Sequence, residues 1–224
     1  MTDDRMEIIP LGGLGEFGMN MMAIGYHDDI LVIDAGLMFA RDEFLGVDFV
    51  IPDFAYLLEN REKVRGVIVT HGHEDHIGAL AYLLRELPIP IYGTRLTLGF
   101  ARGRLEENGV LEQAHLHYVE ARQKLDFGEI HAEILSMTHS IADSIGVAVS
   151  TPVGTVIHTG DFKLDQSPLN HNLTDYARLS ALGERGVLAL FSDSTNSERP
   201  GFTPSEMHVR RHIEQIFLAC QKKI

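Results

Sequence analysis

Val69-Thr70-His71-Gly72-His73-Glu74-Asp75-His76 follows an apolar run and precedes a helix-forming one. It packs three imidazoles and the Asp75 carboxylate between His71 and His76. Neutral imidazole and carboxylate are ligand types that zinc and its neighbours take, and such density seldom arises from packing needs. His71 and His73 are two residues apart, so on an extended turn their side chains point the same way and can grip one ion. Asp75 and His76 fall where the chain turns into an expected helix over 77–87, and there they can face a second ion. Two divalent ions about 3.5–4 Å apart form a clamp for the attacking and leaving oxygens of a displacement. The segment therefore predicts a dinuclear hydrolase centre; the bland alternative is a solvated histidine-rich loop.

This cluster alone cannot fill two metal sites. Two further loops offer ligand-type side chains at strand ends, where rigid backbone can hold them open to solvent: His139 in Met137-Thr138-His139-Ser140, and Asp161 in His158-Thr159-Gly160-Asp161-Phe162-Lys163. Asp161 suits a bridging role because a carboxylate offers two oxygens. Asp34, in Val32-Ile33-Asp34-Ala35-Gly36, either orients a ligating imidazole through its second nitrogen or simply forms a turn.

The other histidines read more plainly. His27 sits in a polar turn, His115, His117 and His131 occupy solvent-facing strand positions, and His208 and His212 share a solvated helix face. His158 is ambiguous between supporting its loop and ligating, and His171 is a reserve ligand. Ser192 and Ser194 lie in Phe191-Ser192-Asp193-Ser194-Thr195-Asn196, which no Gly-x-Ser-x-Gly elbow frames. Their hydroxyls are expected to donate to substrate or to cap local turns. Cys220 reads as core filling on an apolar helix face.

The 224 residues are 45% apolar, enough for a sizeable core. The single cysteine excludes an intrachain disulfide and a thiolate-rich zinc finger, and suits a reducing compartment. The acidic start Met1-Thr2-Asp3-Asp4-Arg5 lacks the basic-then-apolar order of a signal peptide. No apolar run approaches the ~20 residues of a membrane helix. A cytoplasmic protein with no membrane partner is expected. The net charge of −13 argues globally against nucleic acid. Two divalent ions would nevertheless bring positive charge to the one place a phosphate must approach.

Strands are expected over 7–10, 22–26, 30–33, 64–69, 115–119, 124–127, 130–137, 145–150, 155–158 and 187–191, with helices over 54–63, 77–87 and 96–107. Gly12-Gly13-Leu14-Gly15 is either a tight turn or an anion-cradling loop. Central strands outnumber helices, which fits two sheets flanked by helices better than a doubly wound sheet. Thr203-Pro204-Ser205-Glu206 carries a capping-box spacing with proline at the first helical position. Ile213, Ile216, Phe217 and Cys220 then form one apolar face, belonging either to a domain cut short or to a docked terminal helix.

Taken together, His71-x-His73-x-Asp75-His76, His139 and Asp161 resemble the metallo-β-lactamase superfamily. The resemblance implies an α+β fold, an αββα sandwich with metals at one edge of two facing sheets. By that pattern His71, His73 and His139 hold one ion, Asp75 and His76 the other, with Asp161 between them. Over most of the chain, Gly12-Gly13-Leu14-Gly15-Glu16-Phe17-Gly18-Met19-Asn20, His71-Gly72-His73-Glu74-Asp75-His76-Ile77-Gly78-Ala79, Thr159-Gly160-Asp161-Phe162-Lys163 and Ser192-Asp193-Ser194-Thr195-Asn196 resemble the motifs of the ribonuclease J family of β-CASP nucleases. That resemblance implies a metal-dependent ribonuclease, both endonuclease and 5′-3′ exonuclease, acting in RNA processing and decay. It further implies zinc, with manganese as the alternative, an RNA partner and a homo-oligomeric full-length protein.

Asp75 and Asp161 are then the candidate catalytic residues that orient the attacking hydroxide, and Asn20 and Ser194 join Asp34 as supporting or substrate-contacting candidates. The expected division places residues 1–204 in an incomplete lactamase-like domain and 205–224 in the first helix of a β-CASP domain. The family's final histidine has no counterpart here. Rival readings are a thioester or lactone hydrolase of the same superfamily, a DNA-processing β-CASP nuclease, and a catalytically inactive metal-binding module.

Overall fold

The computed structural model describes residues 4–40, 45–169 and 172–220. In chain order the strands are β1 (Met6–Gly12), β2 (Met21–Tyr26), β3 (Asp29–Ile33), β4 (Met38–Phe39), β5 (Phe49–Val50), β6 (Val64–Ile68), β7 (Ile91–Gly93), β8 (Leu116–Tyr118), β9 (Lys124–Phe127), β10 (Ile130–Ser136), β11 (Ile145–Thr151), β12 (Gly154–His158) and β13 (Ala189–Phe191). The helices are α1 (Ala55–Glu59), α2 (Glu74–Ile77), α3 (Leu80–Glu86), α4 (Arg95–Glu107), α5 (Tyr176–Arg185) and α6 (Glu206–Ala219).

Two large sheets result, ordered β1-β2-β3-β6-β7-β8 and β13-β12-β11-β10-β9. Their side-chain alternation makes the layers, because successive strand residues point to opposite faces. On β2, Met22, Ile24 and Tyr26 enter the core between the sheets. Met21 and Ala23 on the same strand join the core beneath α1, α3 and α4, with Leu57, Leu80, Leu83, Leu84, Leu98 and Leu105. The second sheet mirrors this: Ala132, Ile134 and Val156 fill the inter-sheet core, while Leu135 and Ile157 pack with Leu182 of α5. Ile24, Leu31 and Ile134 are fully shielded from solvent, each worth roughly 1.5–3 kcal/mol of transfer free energy. The expected helix-sheet-sheet-helix sandwich is the observed architecture.

The topology brings ligand-bearing loops to one edge. β3, β6, β7 and β8 run parallel, so Asp34 and His71, following β3 and β6, emerge together. In the facing sheet β10 and β12 run parallel to each other, each antiparallel to β11, and end just before the His139 and Asp161 loops. The Ile145 N–H donates to the Thr70 carbonyl at 3.0 Å, tying the two sheet edges together.

Several boundaries differ from expectation. The helix expected over 54–63 ends at Glu59, because Asn60 turns its amide back to the Tyr56 carbonyl at 2.9 Å. The helix expected over 77–87 is two helices, and the first begins at Glu74, so Asp75 and His76 are helical. Between them Ala79 N–H donates to the Ala35 carbonyl, diverting the chain. Helix α5 and the β4–β5 hairpin were not anticipated.

The N-cap of α6 is Ser205, whose hydroxyl accepts from Met207 N–H, so Thr203 and Pro204 lie outside the helix. Cys220 is exposed and does not fill a core, because nothing among the described residues covers that face of α6. His171 lies outside the described residues.

Candidate metal centre

The centre is built from the turn after β6. Thr70 and His71 are fully buried and His76 is 1% exposed, so this polar cluster must satisfy itself. Asp34 does much of that. Its backbone is left-handed, at φ 61°, a conformation uncommon outside glycine. From there it accepts the Thr70 N–H at 2.7 Å on Oδ1, the Thr70 hydroxyl at 2.9 Å on Oδ2, and His76 Nδ1 at 2.7 Å on Oδ2. Asp34 thus both ends its strand in a left-handed turn and meets the His76 ring.

These contacts assign protons. His76 donates from Nδ1 to Asp34, which aims Nε2 at the centre. The Thr70 hydroxyl spends its proton on Asp34 and lies 3.1 Å from His71 Nδ1, so it accepts there and directs His71 Nε2 into the same space. Thr70 has no ligand-type side chain, and its place immediately before His71, at the strand end, is the only local sequence signal of this role.

Around that space the donor atoms converge. His71 Nε2 is 3.0 Å from His73 Nδ1, and His139 Nε2 is 3.4 Å from His73 Nδ1. Asp161 divides its carboxylate: Oδ2 lies 4.0 Å from His71 Nε2 and 3.7 Å from His139 Nε2, while Oδ1 lies 3.3 Å from His76 Nε2. Two sets thus form, His71-His73-His139 and His71-His76-Asp161. Zinc–nitrogen bonds of ~2.0–2.1 Å set tetrahedral donors roughly 3.4 Å apart, so this spacing fits a divalent cation.

Asp75 stands at the margin, Oδ2 3.7 Å from His76 Nε2. Asn20 holds it there, donating to the Asp75 carbonyl at 3.0 Å and contacting its carboxylate at 3.3 Å. Asn20 N–H also donates to that carbonyl. Gly36 makes the approach possible: a Cβ there would fall 1.6 Å from the Asp75 oxygen. On the opposite wall, Asp193 accepts from Phe162 N–H at 3.3 Å and bonds Thr195, fixing the loop beside Asp161.

Electrostatics follow burial. Burial, then the neighbouring His76, drives His71 down to about 2, so it is a neutral imidazole. Burial also pulls His76 down, but the Asp34 and Asp161 carboxylates outweigh it and hold it up at about 10. Burial raises Asp161, yet the His76 hydrogen bond and the surrounding imidazoles win and keep it below the usual carboxylate range. Burial lowers His139 and His158. The centre therefore holds one proton between two carboxylates and several free lone pairs, the state from which a cation displaces a proton.

A cleft of about 860 Å³ opens beside His76 and Asp161. Its walls are the Gly13–Gly18 loop and residues 190–199, including Ser194. His27, His115, His117, His131, His208 and His212 belong to neither donor set.

Residues 14–197 match the metallo-beta-lactamase superfamily. The chain belongs to that superfamily. It is similar to ribonuclease J of Synechocystis sp., 47% identical over 98% of this chain and 34% of the relative. Among the relatives matched, the chain spans about 32–40% of their length. A protein of unknown function from Enterococcus faecalis V583 has a similar structure, with TM-score 0.67 and 18% identity over 94% of this chain and 57% of that one. The metallo-beta-lactamase fold protein YhfI of Bacillus subtilis gives TM-score 0.52 and 21% identity over 70% and 62%. The metallo-β-lactamase fold, α+β, and divalent-metal use follow from this membership and the donor set. Among the described residues no helix is long and apolar enough to cross a membrane.

Proposed function

We propose that this chain carries the metal centre of a metal-dependent ribonuclease that hydrolyses RNA phosphodiesters, both internally and 5′ to 3′, in RNA processing and decay. The observation that carries the two-ion part is the division of Asp161, whose two oxygens serve different histidines. The substrate class rests on the likeness to ribonuclease J along almost all of this chain.

In this reading His71, His73 and His139 would hold one ion and Asp75 and His76 the second, with Asp161 between them. Zinc is the expected metal and manganese the alternative, since imidazole and carboxylate accept either. Divalent ions bound there would supply Lewis acidity, able to lower the pKa of water to roughly 7 and to offset charge on phosphoryl oxygens. Asp34 and Thr70 fix the imidazoles. The Asp75 and Asp161 carboxylates accept hydrogen bonds from the attacking water and orient it in line with phosphorus. Asn20 keeps Asp75 in place, and Ser194, on the cleft wall, donates to the RNA backbone.

Residues 1–204 then belong to the lactamase-like domain and 205–224 to a first β-CASP helix, which fits α6 burying none of its own residues. A cytoplasmic, homo-oligomeric full-length protein belongs to the same reading; the lone cysteine suits it.

The test offers the zinc- or manganese-loaded chain a 5′-monophosphorylated single-stranded RNA, the matching DNA and a small thioester. Hydrolysis of RNA alone, abolished by chelation and by Asp161→Asn, is the expected result. Thioester turnover without RNA cleavage, or one bound ion with no turnover, would overturn the proposal.

A further inference from the structure

His158 is a buried-site histidine that belongs to neither donor set. It ends β12 on the face shared with Val156, which points into the inter-sheet core, so its ring lies under the edge where the two sheets carry the centre. Its Nδ1 accepts the Gly160 N–H at 3.1 Å. An acceptor nitrogen carries no proton, so the proton of this neutral ring sits on Nε2. Burial, which lowers this imidazole, agrees with the neutral form.

Nε2 has no hydrogen-bond partner among the described residues. That atom is not fully buried, and the residue lines the cleft with His76, Asp161, Asn20 and Ser194. The free donor therefore opens on the cleft. Gly160 is itself left-handed, at φ 57°, and a Cβ there would meet the Ile145 carbonyl at 2.9 Å, so the turn that fixes this tautomer is constrained from both sides.

We propose that His158 is a substrate-contacting residue whose Nε2–H donates to an oxygen of the bound RNA, either a non-bridging phosphoryl oxygen or a ribose 2′-hydroxyl. This rests on the ribonuclease reading above. A fixed neutral donor suits the place: it meets an oxygen acceptor without adding a second cation beside the metal ligands, and its orientation needs no reorganisation when substrate arrives.

The experiment has two arms. The first uses the zinc-loaded chain with a non-hydrolysable RNA, in which a methylene replaces each bridging leaving oxygen, and follows the ring nitrogens by long-range proton–nitrogen correlation. The Nε2–H tautomer is expected for His158, with its Nε2 resonance shifting as a short single-stranded RNA is added. No shift at any RNA concentration up to millimolar would overturn the contact.

The second arm compares His158→Asn, whose amide oxygen can still accept from Gly160 but does not reach the cleft, with His158→Gln, whose amide reaches it. His158→Asn is expected to keep metal content and thermal midpoint while losing about tenfold to a hundredfold in kcat/KM, with His158→Gln recovering part of that. Wild-type kinetics in His158→Asn would overturn the proposal, since a role confined to supporting Gly160 predicts that result. If a 2′-deoxy substitution in the RNA erases the difference between wild type and variant, the ribose is the acceptor; if the difference persists, the phosphoryl oxygen is. A chain that binds RNA at His158 but cuts none refutes the nuclease reading alone. A chain that cuts RNA with His158 undisturbed refutes this contact alone.

Discussion

Asp34 and His76 meet at 2.7 Å between Oδ2 and Nδ1, with the aspartate backbone held left-handed at φ 61°. The same carboxylate takes two hydrogen bonds from Thr70, so three donors offset the cost of that conformation and of burying the charge. The consequence reaches the centre: both His71 and His76 are fixed with Nε2 facing inward.

Replacing Asp34 by Asn leaves one acceptor oxygen, which the buried Thr70 N–H takes, and turns an amide N–H donor toward His76 Nδ1, so the ring loses the acceptor that orients it. Metal affinity is expected to fall by roughly tenfold to a hundredfold, the range for a lost partner of a ligating imidazole, with little change in fold. Competition against a chromogenic chelator reads this directly. Unchanged affinity would show that His76 needs no orienting carboxylate.

Thr70→Val keeps the shape and deletes the hydroxyl beside His71. Because Thr70 and Asp34 belong to one network, the double variant Asp34→Asn/Thr70→Val should cost less affinity than the two single losses combined. Strict additivity would mean that the two side chains act separately.

Gly36→Ala tests packing rather than chemistry. The new Cβ would sit 1.6 Å from the Asp75 oxygen, against backbone that cannot swing aside. Destabilisation of roughly 1–3 kcal/mol is expected, together with weakened metal binding as Asp75 and His76 are pushed outward. Chemical denaturation and a metal titration of the same sample measure both; a neutral substitution would mean that the α2 turn is free to move.

The metal-free chain should lose stability in mild acid. His71, His139 and His158 all lie below the ordinary 6.5, so the unfolded chain binds their protons more readily and each step below that pH favours unfolding. His71 alone contributes a slope of up to ~1.4 kcal/mol per pH unit between 6.5 and about 2. His76 acts oppositely: its contribution is fully present below 6.5 and fades as the pH rises through about 10. Asp161, held low, loses its contribution only as the pH falls through and below the carboxylate range. Urea midpoints measured from pH 8 to pH 5 should fall on the acid side, and a rise would contradict these directions.

Much of the sandwich was legible because strand alternation is a local signal: β2, β10 and β12 each send alternate residues to opposite cores. The donor residues were legible too, since His71, His73 and His76 fall within one turn and His139 and Asp161 follow strands. What the sequence hid was non-local. The Asp34 to His76 contact spans 42 positions and depends on a left-handed backbone that no propensity announces. The break between α2 and α3 arises because Ala35 captures the Ala79 N–H. Helix α5 was missed although Asp175 caps it, accepting from Arg178 N–H, and Leu179 and Leu182 mark its buried side. Helix α6 shows the converse: Ile213, Ile216 and Phe217 form the expected apolar face, and all three are exposed, so of its two readings docking on the described core is the one that fails.

The most direct test of the central claim is anomalous scattering from crystals of the metal-loaded chain, recorded at the absorption edge of the bound ion. Two peaks flanking the Asp161 carboxylate, one toward His73 and His139 and the other toward His76, are predicted. A single peak, or one whose nearest ligands are His208 and His212, would contradict it.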